Sequence, residues 1–480
     1  MELFGDSRRV RQGRARFAGT PTRLFAGVAI AAAWGLVLAT PSLALLPDEG
    51  SVSPTAATGI PELATNGTDG SIERVLQLVP CDDTMYAVGL FTEIRRNSSF
   101  YPRDNAFSFN ATSGAMTSWA PAVNGQVNTV ALSADCSIAY LGGKFSSVNG
   151  TAVKNLAAVS TTTGAVTDFL HTAGGVVHNL VLSDDHLLVG GRFTSINGST
   201  KDYLVSLDST TGRDDSYVDL NISGKYEFTD QGGQQSRSNV SQVYNMDLSP
   251  DGSKLLAMGV FTSVGGQPRK QIFMLDLGAT SATVNPWYSP EFDQHCAVVQ
   301  PFYLRAASWA PDMSKVYVAT TGYKPASGIG YRTSEPRGGL CDAVAAFSSG
   351  PSATQSHLWI NYTGCDSLYS TAADSGGVYA GGHQRWMDSP VQCDGNNNGT
   401  KVVAPGLTGL DPDNGVGLRS ATNPTVGKYH RGRGVGATDM FVTSEGLWIA
   451  SDNAQNTDSC GKNSDGSLAH GHSGICFLPY

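Results

Sequence analysis

Glu73 and Asp439 each stand at the start of an apolar segment, near opposite ends of the chain, and are the pair of carboxylates best placed for acid–base work. Glycoside hydrolysis needs two carboxyl groups facing one bond, one to give a proton and one to act as base or nucleophile. Arg74, Asn128, His178, Asn179, Tyr244, Asn245 and Arg305 occupy comparable positions at the starts of other apolar segments. If the fold gathers them, polar and aromatic groups of this kind suit a sugar or a peptide. Alternatively they only satisfy backbone groups and buried water. A second set, His383, Arg385, Trp386, His430 and Arg431, falls in longer connecting stretches. His430 to Arg433 could grip a carboxylate or phosphate, and Trp386 and Tyr429 could serve as aromatic anchors. His470-x-His472 is a weak metal pattern, and no metal centre is expected from it. No G-x-S-x-G elbow, H-E-x-x-H helix or Walker loop occurs. No cofactor is expected. Calcium stays open at two acidic turns, residues 411–415 and 458–465, the second of which lacks the full D-x-D-x-D-G…E ladder.

The elements that must hold these residues come from a repeat. Residues 138–150 read IAYLGGKFSSVNG and residues 186–198 read HLLVGGRFTSING. Each is a buried strand, a pair of small residues, an aromatic and an Asn-Gly turn. Seven segments share this plan, with small pairs at Val88-Gly89, Gly142-Gly143, Gly190-Gly191, Met258-Gly259, Ala319-Thr320, Gly381-Gly382 and Ala450-Ser451, spaced 48–69 residues apart. Each has a strand before the pair and, after it, a third strand and a turn such as Thr163-Gly164. Four strands per repeat at this period indicate blades that bury their faces only against one another. The expected fold is therefore all-β: a seven-bladed β-propeller over residues 58–480. The chain reaches Tyr480 just after the seventh third strand, so residues 60–66 are expected to add the N-terminal strand that completes the last blade.

Residues 8–23 carry six arginines, residues 24–39 are apolar and uncharged, and Ser42-Leu43-Ala44 offers small residues for cleavage. This predicts a signal peptide over 1–44 and a Pro/Ser/Thr/Ala-rich linker over 45–57. The apolar run of roughly 16 residues is short for a span, which needs about 20, so membrane attachment is expected only if the segment stays uncleaved. The remaining chain holds 26 basic against 39 acidic residues, which excludes nucleic acid as an expected partner. Eight cysteines in an exported chain suggest four disulfides.

The phrase G-G-x-F-[TS]-x-[VI]-N-G, with L-x-L-S-x-D before it and L-D-x-x-T-G after it, resembles the delta-60 type repeat of exported, chiefly actinobacterial, propellers. The stretches 378–386, 406–412 and 446–452 look like the C-terminal half of the same proteins. The resemblance spans about residues 60–480 and implies fold and export. It assigns no catalytic residue, and repeats five to seven depart from the phrase.

In such a blade the first strand is innermost, so loops into it and loops between strands two and three share one face, here the upper face. The long stretches 222–241, 323–340, 386–404 and 453–473 all fall there. The expected disulfides are Cys81–Cys136 across two lower turns, and Cys296–Cys341, Cys365–Cys393 and Cys460–Cys476 above. The function expected is a binding or scaffold module at the cell surface, its upper face meeting a glycan, the cell envelope or a protein. The alternative is a carbohydrate-active hydrolase using the carboxylates at the channel mouth.

Overall fold

The computed structural model describes residues 50–64, 72–225, 240–294, 296, 302–322, 340–364, 366–389, 401–429, 436–452 and 473–480. The chain divides into two units, Met1–Ser42 and Leu43–Tyr480, and every described residue belongs to the second. The expected signal peptide lies outside the described residues. Among those described, no helix is long and apolar enough to cross a membrane.

Among the described residues nearly all the regular structure is antiparallel sheet, with one short 3-10 turn at Pro290–Asp293. Seven inner strands appear among the described residues: Arg74–Cys81, Gln126–Leu132, Val176–Ser183, Gln242–Leu248, Leu304–Trp309, Leu368–Ala373 and Asp439–Thr443. Each pairs with a second strand, and that strand with a third. In the second sheet Ala139 faces Leu132 on one side and Val159 on the other. Each inner strand touches the inner strand of the next sheet, and the last touches the first, so the sheets close into a ring. The core is the set of seams between sheets, such as Leu141, Phe145 and Ala157 packing with Val88 and Ala106 of the preceding sheet.

The small pair has two separate jobs. A Cβ at Gly142 would come within 2.5 Å of Val177 Cγ1 in the next sheet, whereas one at Gly143 would meet the Gln126 carbonyl at 2.2 Å. The first glycine lets two blades approach, and the second lets the inner strand approach its partner. The aromatics Phe91, Phe145, Phe193 and Phe261 are buried at these seams.

The fourth strand departs from expectation. Only Ala282–Val284 and His357–Tyr362 form proper outer strands among the described residues that follow a third strand. In four other sheets the outer strand shrinks to one bridge, as at Phe109–Met116 and Val159–Val166. Whether or not the outer strand forms, an aromatic at or beyond it dives into the next seam. Trp119 donates to Ser160 O (3.1 Å), Tyr217 to Gly278 O (2.9 Å), Trp287 to Ser348 O (2.7 Å) and Trp359 to Pro412 O (3.0 Å). Each ring buries its body and bonds its polar tip to the end of the next sheet's third strand.

The last sheet is completed by N-terminal residues, as expected, but by earlier ones. Ser53 N–H donates to Pro479 O (2.7 Å) and Ala57 N–H to Phe477 O (3.0 Å), so part of the stretch read as linker covers the open edge of Ile475–Pro479. Val52 is fully buried. Its N–H donates to the Tyr379 hydroxyl (3.0 Å) and its carbonyl accepts from the Tyr429 hydroxyl (2.7 Å). Tyr429 is thus a buried clasp and not a surface anchor. Within the expected strand 60–66, Glu62–Leu63 instead pairs with Glu93–Arg96, while Leu63 N–H also reaches Ser473 O at 2.7 Å.

Cys81–Cys136 and Cys296–Cys341 are bonded as expected, the first joining two adjacent sheets. Cys476 is disulfide-bonded. Cys365, Cys393 and Cys460 lie outside the described residues.

Candidate functional site

Six of the seven inner strands carry a β-bulge at one position. The register shifts across Leu76, Asn128, His178, Tyr244, Arg305 and Tyr369. In the seventh, Thr438 and Asp439 both oppose Ala450. A bulge adds one residue to the strand and re-aims its side chain. Repeated around the ring, it gathers Leu76, Asn128, His178, Tyr244 and Tyr369 at one end of the channel.

The result is a cavity of about 480 Å³ walled by Arg74, Gln77, His178, Asn179, Asn245 and Tyr369, with Leu76, Asn128, Tyr244, Thr438 and Asp439 completing it. A deeper cavity of about 300 Å³ shares Gln77, Asn179, Asn245, Tyr369, Thr438 and Asp439 and extends to Asp247 and Phe441. The two form one polar channel.

Some of these groups are committed to holding the ring. Because of the bulges, inner-edge N–H groups face the channel and need acceptors. Gln77 Oε1 accepts from Val130 N–H (2.7 Å), Thr129 Oγ1 from Leu180 N–H (3.0 Å) and Asp439 Oδ2 from Leu78 N–H (3.2 Å). Each is a tether from one sheet to the next, and Asp439 makes the one that closes the circle. Asn128 donates to Val177 O at 2.7 Å. The His178 ring nitrogen Nε2 donates to Gln242 Oε1 at 3.1 Å, leaving Nδ1 as an acceptor, and burial lowers its pKa so that the ring is neutral at pH 7. Tyr244 donates to the Leu304 carbonyl.

Other groups are uncommitted. Asn179 Oδ1 is buried in the wall with no hydrogen-bond partner. Asn245 and Tyr369 also line both cavities.

Two of the expected mouth residues are placed elsewhere. Glu73 is buried beside the channel, where one carboxylate oxygen accepts from Thr92 N–H (2.9 Å) and Oγ1 (2.7 Å). It pins the turn after the small pair and does not wall the cavity, so the Glu73–Asp439 pair has no geometric basis. Arg305 backs the Tyr244 ring, its guanidinium carbon 5.9 Å from the centroid. The acid that does accompany Asp439 is Asp247. Burial, and then the charge of Asp439, push its pKa up to about 7; burial pushes Asp439 up to about 6. Asp247 occupies the inner-strand position held by Val79, Ala131, Val181, Ser308, Ala372 and Phe441 in the other repeats, so aligning the repeats by their bulges exposes it.

On the upper face, His383 meets the Tyr369 ring edge-on at 5.8 Å, next to the mouth. Arg385 pairs with Asp366 at 2.7 Å. Trp386 is covered by the Lys401 ammonium, 5.0 Å from its ring. His430 and Arg431 lie outside the described residues, as do residues 458–465. In the other acidic turn, Asp411 Oδ1 accepts from Asp413 N–H (2.8 Å) and Asn414 N–H (3.2 Å), which is ordinary turn bonding.

No family model matches the chain, and no curated protein matches it. Among solved structures, it is similar to the WD40 repeats of RRP9 at 9% identity and a TM-score of 0.44, covering 87% of this chain and 99% of that one. It is likewise similar to U3-55K at 10% identity and a TM-score of 0.46, covering 89% and 100%. On its own strand pairing and closed ring of sheets, the chain is a β-propeller, an architecture tied to no single activity.

Proposed function

We propose that this chain is an exported propeller of the delta-60 type that works at the cell surface and binds a glycan at the channel mouth. The observation that carries the reading is the repeated bulge, which turns amides, a neutral imidazole and tyrosines toward one cavity. Amides give paired donors and acceptors to hydroxyl groups, and tyrosine offers a flat apolar face. Asn179 Oδ1 supplies an acceptor with no other duty. The disulfides at Cys81–Cys136 and Cys296–Cys341 support an oxidising compartment. Screening residues 45–480 on a glycan array tests the reading, with the Asn179→Ala/Asn245→Ala double variant alongside. Saturable retention of a glycan, weakened in the variant, is expected. Silence of the parent toward every glycan, with capture of an envelope protein instead, would replace the glycan by a protein partner.

Asp247 and Asp439 favour a second reading, hydrolysis of the bound glycan. They share one cavity, and their raised pKa values leave one protonated and the other ionised near neutral pH. Cleavage by the parent but by neither Asp247→Asn nor Asp439→Asn would establish it. Asn at 439 keeps an oxygen for Leu78 N–H, so the ring tether survives that test.

A further inference from the structure

Most arginines of the described residues are occupied. Arg95, Arg385 and Arg419 pair with carboxylates, and the terminal nitrogens of Arg96, Arg103 and Arg269 donate to backbone carbonyls. Among the same residues Arg74, Arg192 and Arg305 do neither, and all three belong to the channel mouth. An exposed arginine without a partner, such as Arg213 in a turn, is simply solvated. Arg74 is different. It walls the mouth cavity, it is half-buried, and its Nε is shut off from solvent with no hydrogen-bond partner. Arg305 stands behind the Tyr244 ring, and its Nε is buried and unpartnered too. Arg192 is exposed at the end of its strand, opposite Val176. Burial first, and the charge of Arg192 after it, lower the pKa of His178. Lys144 ends the equivalent strand of the second sheet, opposite Gln126, and is exposed.

The nearby acids do not neutralise this ring of cations. Glu73, next to Arg74 in sequence, is turned to Thr92. Asp439 walls the same cavity, but its Oδ2 accepts from Leu78 N–H (3.2 Å) and it makes no ion pair with Arg74 among the described residues. Asp247 lies in the deeper cavity. The channel is therefore positive at its rim and acidic toward its floor, in a chain whose formal charge is −9.

A guanidinium presents a planar fork that matches a carboxylate with two parallel hydrogen bonds. In a uronic acid that carboxylate is carried on the sugar ring itself. One ring then offers the carboxylate to Arg74 and hydroxyl donors to Asn179 Oδ1 and His178 Nδ1, acceptors of the same wall with no other duty. The acids below repel a carboxylate and keep it at the rim. A neutral sugar closing the mouth would leave the Arg74 donors covered and unpaired, which costs affinity.

We infer that the channel mouth takes a carboxylate-bearing glycan, with Arg74 selecting a uronate ring over its neutral counterpart and Arg192 and Arg305 setting the positive field around it. This inference rests on the glycan reading and narrows it.

The test is equilibrium binding to the disulfide-bonded chain, residues 45–480, of uronate oligosaccharides and of the same oligosaccharides after carboxyl reduction. The parent is expected to hold the uronate form at least about tenfold tighter, and to lose that preference as salt rises. In Arg74→Gln the ratio of the two affinities is expected to collapse to within about twofold. Arg74→Lys keeps the charge without the fork and should restore only part of the preference. Circular dichroism shows that the variants are folded. A parent that holds both forms equally overturns the inference and leaves the glycan reading standing. A preference for the uronate that survives intact in folded Arg74→Gln overturns it as well. A parent that holds neither these nor any other glycan overturns both.

Discussion

Replacing Asp247 by Asn should make the protein more stable at pH 8 and leave it nearly unchanged at pH 4. In the folded chain the carboxyl titrates near pH 7, against about 3.8 for an unhindered aspartate. Between those values the folded state holds more protons than the unfolded one, so stability falls as pH rises. At about 1.36 kcal/mol per unit, the full interval corresponds to roughly 4 kcal/mol, and channel water makes that a ceiling. The loss begins near pH 4 and is complete just above pH 7. Asp439, raised to about 6, adds a smaller loss of the same sign that ends lower. Asn carries no charge to desolvate and keeps an oxygen for the channel. Urea unfolding from pH 4 to 8 is the assay. The parent should lose stability across the interval, and Asp247→Asn should lose several kcal/mol less. Parallel curves for the two proteins would refute the placement of Asp247 in a poorly solvated cavity beside a second acid.

Further outcomes follow from the packing. Gly143→Ala should destabilise by about 2 kcal/mol or more in thermal melts, because its Cβ would stand 2.2 Å from the Gln126 carbonyl. Tyr429→Phe removes the bond to Val52 O and should cost about 1–3 kcal/mol in urea, while deletion of residues 50–57 should prevent the ring from closing and expose its apolar seams to a hydrophobic dye. The Cys81→Ala/Cys136→Ala variant loses a 55-residue cross-link, about 4 kcal/mol on the chain-entropy model. The Cys296→Ala/Cys341→Ala variant should lose more in the same melt, since its 45-residue loop is similar but its sulfurs are buried.

The repeat was legible because the Gly-Gly pair and Asn-Gly turn each have a steric cause. Gly143 admits a carbonyl, and Asn149 and Gly150 both take left-handed backbone in the turn. The Asn149 amide is used there too, donating to Gly164 O at 2.7 Å. Arg74, Asn128, His178, Tyr244 and Asp439 were legible as mouth residues because their places in the repeats match. Glu73 was misread because it precedes its strand by one residue, which is enough to turn it from the channel to Thr92. The bulges themselves leave no mark in composition, since residues as different as Leu76, His178 and Arg305 fill them. Asp247 was hidden for that reason: only the bulge fixes which residues three further along face the channel. The diving aromatics Trp119, Tyr217, Trp287 and Trp359 follow different turns, so their common bond to the next sheet shows only in three dimensions.

The most direct measurement is equilibrium binding of array-selected glycans to the intact chain and to Asn179→Ala/Asn245→Ala, with circular dichroism to show that both are folded. The account predicts saturable binding by the parent, weakened at least about tenfold in the variant, as loss of two good hydrogen bonds requires. Equal affinity of two folded proteins for the same glycan would contradict the placement of the site in the channel mouth.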